Sequence, residues 1–165
     1  MKILRFSVLA SLLVVATAAS AQQAATPAPA PAAQAQQLTA EQQAQVARQD
    51  AEMSGAAAQV IQLMDQGKSA EIWDGASPVA KAVVNRQDFV TQIAADRTRL
   101  GAPTERKQVA VTRAAYAAGG AVPAGNYINV VFATRFANAA EPVRELVSFH
   151  LDDDKTWRVS GYSVR

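Results

Sequence analysis

The chain has 165 residues, half of them hydrophobic, with 16 basic residues, 14 acidic residues and no cysteine. This length corresponds to one domain, and the missing cysteines exclude disulfides, thiol nucleophiles and thiolate metal sites. The net charge of +2 gives no basis for binding nucleic acid, which requires a clustered basic surface.

Residues 1–21 have the order of a secretory signal peptide: basic, then apolar, then small. Lys2 and Arg5 precede the apolar run 6–16, whose length of about eleven residues is too short for a membrane-spanning helix, which needs about 20. We predict cleavage before Gln22 and export to the periplasm or the medium, with no membrane span in the mature chain. Without the two basic residues of this segment, the mature chain has 14 basic and 14 acidic residues, so its net charge is predicted to be close to zero.

Residues 22–38 are rich in Ala, Gln and Pro and carry no charge. Such a composition buries too little apolar surface to offset the entropy of ordering. Pro27, Pro29 and Pro31 alternate with alanine, which favours an extended polyproline conformation. We predict a disordered tether, either a spacer that holds the domain off a membrane or wall or a tail without a role. A single folded domain is predicted over 39–165.

The first part of this domain has the periodicity of helices. Thr39 and Gln42 form a capping box, the following apolar residues recur on one helical face, and Gly67 is placed to end the helix. Ser54 and Gly55 are expected to weaken this helix in its middle.

Three further helices are predicted, at residues 69–76, 79–84 and 86–100. Asn85 is a preferred N-cap residue for the last of them. Arg97 follows Ile93 by four positions, so helical spacing places both side chains on the inner face.

From Lys107 onward the hydrophobic period changes to two, which is typical of strands. Strands are predicted at residues 107–116, 127–136, 143–151 and 156–164, with Asp152 to Lys155 as a tight turn between the last two. Helices followed by a meander of strands predict an α+β domain, with the N-terminal helices packed on one face of a four-stranded antiparallel sheet. Trp157 and Tyr162 would lie on opposite faces of the last strand unless a bulge occurs near Gly161.

Catalytic residue types are scarce. His150 is the only histidine, and its alternation with Phe149 and Leu151 predicts that it faces solvent on the side opposite the core. Ser148 lies two strand residues away, about 6.6 Å, which is too far for direct proton transfer. One histidine and no cysteine leave no metal site, and we expect no cofactor and no catalytic residue.

Glu145 is the exception, because the strand period places this carboxyl group in the same row as Val147, toward the helices. A buried carboxylate needs a partner or a raised pKa, and Arg97 is the cation that helical spacing sends inward. We therefore predict that the Glu145 and Arg97 side chains approach within about 6 Å. The pair would be either a buried ion pair that fixes the docking of the last helix or an acid or base in an apolar pocket.

Several ordered motifs resemble an uncharacterised bacterial family, the domain-of-unknown-function family 4019. They are Leu63-Met64-Asp65 before Trp73, Arg97-x-x-Leu100-Gly101 with Arg106, Pro123-x-Gly125-x-Tyr127, Phe132 with Phe136, Glu145 with Val147, and Trp157-Arg158-Val159-Ser160-Gly161-Tyr162. The resemblance covers about residues 50–165. It implies an exported protein with a cystatin-like, nuclear-transport-factor-like fold and carries over no catalytic residue. Asp154-Lys155 departs from the family, which often has glycine in this turn.

Two functions remain open from the sequence. The first is a non-enzymatic periplasmic module that binds an envelope protein. The second is a small-molecule pocket or enzyme that uses the space between sheet and helices, with Glu145, Arg97 and Tyr127 as candidate residues. A pocket predicts an inner sheet face that does not fill itself, whereas a binding module predicts a filled core and an exposed apolar patch.

Overall fold

A computed structural model describes residues Leu38–Arg165. The predicted signal peptide and most of the predicted tether lie outside the described residues. The elements in chain order are α1 (Ala40–Asp65), α2 (Ser69–Asp74), α3 (Pro78–Val83), α4 (Arg86–Leu100), β1 (Pro103–Tyr116), β2 (Gly125–Phe136), β3 (Val143–Leu151) and β4 (Trp157–Val164). None of the helices in this part of the chain combines the length and apolar character that crossing a membrane requires.

The predicted α+β arrangement is confirmed: helices precede one antiparallel sheet with the strand order β1-β2-β3-β4. The main core lies between α1 and the face of the sheet that we call the inner face. This core contains residues of α1, α2 and α4 and alternate residues of β2 and β3: Ala57, Val60, Ile61, Met64, Ile72, Ile93, Val130, Phe132, Val147 and Phe149. The predicted bounds of α4 and β3 are confirmed, whereas β1 begins at Pro103 rather than Lys107.

The first helix is continuous from Ala40 to Asp65, and the predicted capping box of Thr39 and Gln42 is confirmed. The expected weakening at Ser54 and Gly55 does not interrupt α1. The reason is tertiary, because the turns that follow Gly55 are buried in the core, and packing of an amphipathic face outweighs intrinsic helix propensity.

A β-bulge in β4 determines what its last residues contact. The β3–β4 pairing goes from Ser148↔Gly161 to Phe149↔Val159, so Ser160 is an extra residue. Because of this insertion, Trp157, Val159 and Tyr162 all pack against the main core. The alternation alone would place Trp157 and Tyr162 on opposite faces, but a bulge does occur next to Gly161, and it brings Tyr162 to the inner face.

The turn between β3 and β4 contains Lys155, which has a φ of 64°. Left-handed backbone conformations cost a residue with a Cβ roughly 1–2 kcal/mol, and glycine avoids this cost. We therefore expect Lys155→Gly to raise the free energy of unfolding by about 0.5–1 kcal/mol, measured by urea titration. Lys155→Ala keeps the Cβ and is the matched control. A gain in both variants would trace the effect to the lysine side chain and not to the backbone.

The connection between α2 and α3 crosses the edge strand β4. Ser77 donates its backbone N–H to the Val159 carbonyl at 2.9 Å, and its side-chain oxygen accepts the Val79 N–H as the N-cap of α3. This crossing takes the chain from Ile72 in the main core to α3, which borders the opposite, outer face of the sheet.

Candidate functional site

The carboxyl group of Glu145 is fully buried, with 0% exposure, and four elements supply its partners. Thr134 of β2 donates its hydroxyl to Oε2 at 2.7 Å, and Arg106 of β1 donates Nε to the same oxygen at 2.7 Å. Tyr162 of β4 donates its hydroxyl to Oε1 at 2.6 Å. Arg97 of α4 reaches Oε1 at 3.4 Å, which lies within the range predicted for the pair.

A second carboxylate balances the two arginines. Asp65, the last residue of α1, accepts hydrogen bonds from both terminal nitrogens of Arg106 at 3.1 and 3.2 Å. It also forms an ion pair with Arg97. Two acidic and two basic side chains thus form one network that joins α1, α4, β1 and β3, which we call the carboxylate–arginine cluster.

The Tyr162 hydroxyl acts as a donor in this cluster. Burial, and then the charge and hydrogen bond of Glu145, raise the pKa of Tyr162 well above its usual value. The phenol therefore keeps its proton at neutral pH and donates it in a hydrogen bond to the Glu145 oxygen. Both carboxyl oxygens of Glu145 thus accept hydrogen bonds from side chains of the protein, which join four elements at this group.

Tyr127, the third residue predicted to share this site, lies elsewhere. Its side chain is on the outer face, where its hydroxyl donates to the Pro123 carbonyl at 2.9 Å and its ring packs on His150 and Tyr116. The strand alternation of β2 explains this, because Tyr127 is one residue before the inward-facing Ile128. Burial raises the pKa of Tyr127 above its usual value.

His150 does not face solvent as predicted: it is only 6% exposed. The alternation correctly places it on the outer face, but that face is covered at this end of the sheet. Its Nδ1 lies 2.7 Å from Asp152 Oδ1, and its Nε2 faces the Ala124 carbonyl at 3.4 Å. The β1–β2 connection and the start of α3 therefore bury a histidine that the strand pattern alone leaves exposed.

Ser77, Asp152 and His150 contain the residue types of a catalytic triad but not its geometry. The Ser77 hydroxyl donates to Asp152 Oδ1 at 2.6 Å and is 3.5 Å from His150 Nδ1. In a triad, the serine contacts the histidine nitrogen that is turned away from the carboxylate; here that nitrogen, Nε2, faces a backbone carbonyl. Asp152 thus accepts hydrogen bonds from three segments of the chain, and the third donor is Arg158, at 2.8 Å.

The hydrogen bonds to Asp152 make the free energy of unfolding depend on pH in the acid range. Burial raises the pKa of Asp152, but hydrogen bonds from Ser77, His150 and Arg158 outweigh it and leave the pKa below its usual value. A lowered carboxyl pKa stabilises the fold above the unfolded-state value of about 3.9, and this contribution is lost as the pH falls below it.

We therefore expect Asp152→Asn to be clearly less stable than the wild type at pH 7, with the difference narrowing at pH 3. Urea unfolding at both pH values measures this. Asp153→Asn changes an exposed neighbour and should follow the wild type at each pH. A difference between wild type and Asp152→Asn that stays constant with pH would contradict the assignment.

An open cavity of about 460 Å³ lies on the outer face of the sheet. We call it the outer groove. Its floor is formed by alternate residues of β2, β3 and β4, one wall by α3, and the other wall by Tyr116 and the β1–β2 connection. Its lining residues include Val79, Val83, Val122, Asn129, Leu146 and Ser160. The inner face also keeps open space: a cavity of about 320 Å³ lies beside Gln49, Ile128 and Trp157, and one of about 160 Å³ lies between α2, α4 and β4.

No group of three or more His, Asp or Glu side chains within Leu38–Arg165 is arranged to hold a metal ion. Two of the three consecutive aspartates at 152–154 are engaged in hydrogen bonds within the protein, since Asp152 and Asp154 both accept from Arg158.

The sequence pattern did not indicate several residues that the structure brings together. Asp65 belongs to the carboxylate–arginine cluster and follows the buried Ile61 by four helical positions, which is the spacing that identified Arg97; Arg106 also belongs to it but precedes the predicted start of β1. Ser77 lies 75 positions from Asp152, and no local pattern reports such a contact.

The fold and its buried clusters define a small α+β domain with one main core and an open groove on the outer face of its sheet. Residues 56–162 match the family described as protein of unknown function (DUF4019), and the chain belongs to this family. No curated protein matches the chain.

Proposed function

We propose that the chain is an exported, non-enzymatic binding or accessory module of the cell envelope, which uses its outer groove to bind an envelope protein. The observation that carries the proposal is the contrast between the two sheet faces. The inner face carries the main core and the carboxylate–arginine cluster, with a cavity of about 320 Å³ beside Trp157, whereas the outer groove is larger, about 460 Å³, and is rimmed by exposed apolar side chains such as Val83 and Val122. Open apolar surface of this kind marks interaction sites.

The export half of the proposal rests on residues 1–21, whose basic, apolar and small segments are those of a cleavable signal. The periplasm is the compartment we propose, and cleavage before Gln22 would release the domain behind its tether. Osmotic-shock fractionation with intact-mass measurement tests this. A protein recovered in the cytoplasm with residues 1–21 attached would contradict it.

The alternative, a small-molecule pocket or enzyme, has less support. Glu145 and Arg97 meet, but hydrogen bonds within the protein occupy the Glu145 oxygens, and Tyr127 lies on the other face of the sheet. Native mass spectrometry of the protein purified from the periplasm separates the two functions. A co-purifying envelope protein supports the binding module, whereas a stoichiometric small ligand supports the pocket.

A further inference from the structure

The outer groove has a positively charged end. Arg144 of β3 and Arg165, which follows β4, lie directly opposite each other, each donating its backbone N–H to the other's carbonyl at 2.9 Å. Paired residues in adjacent strands project from the same face, and Arg144 lines the groove. Within Leu38–Arg165, neither side chain forms an ion pair. Like charges placed opposite each other are unfavourable, and an anion bound between them would relieve the repulsion.

The walls of the outer groove are apolar and accessible. Val83 of α3 is 73% exposed, and Val122 and Tyr116 on the other wall are exposed as well. The arginine is the only charged residue among the described residues that line the groove. An occupant that fits this surface has apolar groups along its length and a negative charge at one end.

Polar groups in the middle of the floor distinguish a peptide from an acyl chain. Ser148 donates to Asn129 Oδ1 at 2.7 Å, and both side chains line the groove. The Ser160 hydroxyl oxygen, placed there by the β4 bulge, is buried without a hydrogen-bond partner in this part of the chain. A peptide carbonyl can accept a hydrogen bond from the Asn129 side-chain amide, whereas an acyl chain lying on the floor would remove this amide from water without offering it a partner.

From these three features we infer that the outer groove binds an extended apolar segment of a partner protein, with a carboxylate of that segment on Arg144. The inference rests on the proposed binding function and specifies the chemistry of its partner. The floor from Ser148 to Arg144 spans four residue steps of β3, about 14 Å, which accommodates roughly four residues of extended peptide.

A random heptapeptide display library, selected on the purified full-length protein, tests the inference. We expect the selected peptides to contain alternating apolar residues and an aspartate, glutamate or terminal carboxylate. The best of them, synthesised with a fluorescent label, should bind Val83→Asp and Arg144→Glu at least about tenfold more weakly. Val109→Asp is the matched control, because Val109 is also an exposed valine (54%) but lies outside the groove, in β1. It should bind as the wild type does.

Three outcomes would overturn the inference. The first is a selection without acidic enrichment, and the second is equal binding by Val83→Asp. The third is tighter, Arg144-dependent binding of dodecanoate, which would assign the groove to an amphiphile. The proposed function is tested separately: an envelope protein that still co-purifies with both groove variants would preserve the binding module and place its interface elsewhere.

Discussion

Glu145→Ala is expected to lower the free energy of unfolding by about 3–5 kcal/mol, because it leaves two partly buried arginines without their shared, fully buried carboxylate. Arg97 and Arg106 would keep Asp65 as their one anionic partner in this cluster, and the hydroxyls of Thr134 and Tyr162 would lose their acceptor. Urea unfolding followed by tryptophan fluorescence measures the change.

Graded variants separate charge from hydrogen bonding in the same cluster. Tyr162→Phe removes one hydrogen bond to Glu145 and should cost about 1–2 kcal/mol. Glu105→Gln is the surface control, since its ion pair with Arg135 is 3.5 Å long and exposed; such pairs contribute less than about 1 kcal/mol. If Glu145→Ala costs no more than Glu105→Gln, the carboxylate–arginine cluster does not hold the helices to the sheet.

Gly125→Ala is expected to cost about 2–4 kcal/mol for two reasons that act together. The residue has a φ of 140°, a conformation that side chains with a Cβ rarely adopt. An added Cβ would also overlap the imidazole of His150, which packs directly on the glycine. Because β2 begins at this position, the strain would fall on the segment that covers the outer face.

Gly55→Ala provides the matched control. Gly55 lies within α1, and an added Cβ would meet nothing within 4 Å, so this variant should gain about 0.5–1 kcal/mol from helix propensity. Replacing His150 with alanine in the Gly125→Ala protein should recover at least about 1 kcal/mol relative to the sum of the two single changes. Strict additivity would show that backbone strain alone, and not the overlap, sets the cost.

Much of this fold follows from local sequence signals. Thr39 and Asn85 are side-chain caps that fix helix starts, and the alternation of β3 fixes which face Glu145 occupies. The approach of Arg97 to Glu145 follows from combining two periodicities, one helical and one extended. These signals are local, so they can be read without knowledge of the tertiary structure.

The remaining features depend on contacts that no local pattern encodes. Periodicity places His150 on the outer face, but its burial depends on Ala124, which comes from a connection between other strands. Tyr127 is a residue type that can act as an acid in a pocket. The alternation of β2 places it on the outer face, away from the carboxylate–arginine cluster. The sequence did not predict that Arg106 faces inward, because β1 begins at Pro103, four residues before the predicted start of the strand at Lys107.

The crossing of the chain at Ser77 has a consequence for self-association. A free sheet edge is a template on which strands of other chains can add, leading to aggregation. On β4 this template is interrupted, because Ser77 already occupies the Val159 carbonyl. On β1, the opposite edge, the irregular register on either side of Val109 breaks the even row of pairing groups. Both edges of the sheet therefore carry an interruption that disfavours the addition of a strand from another chain.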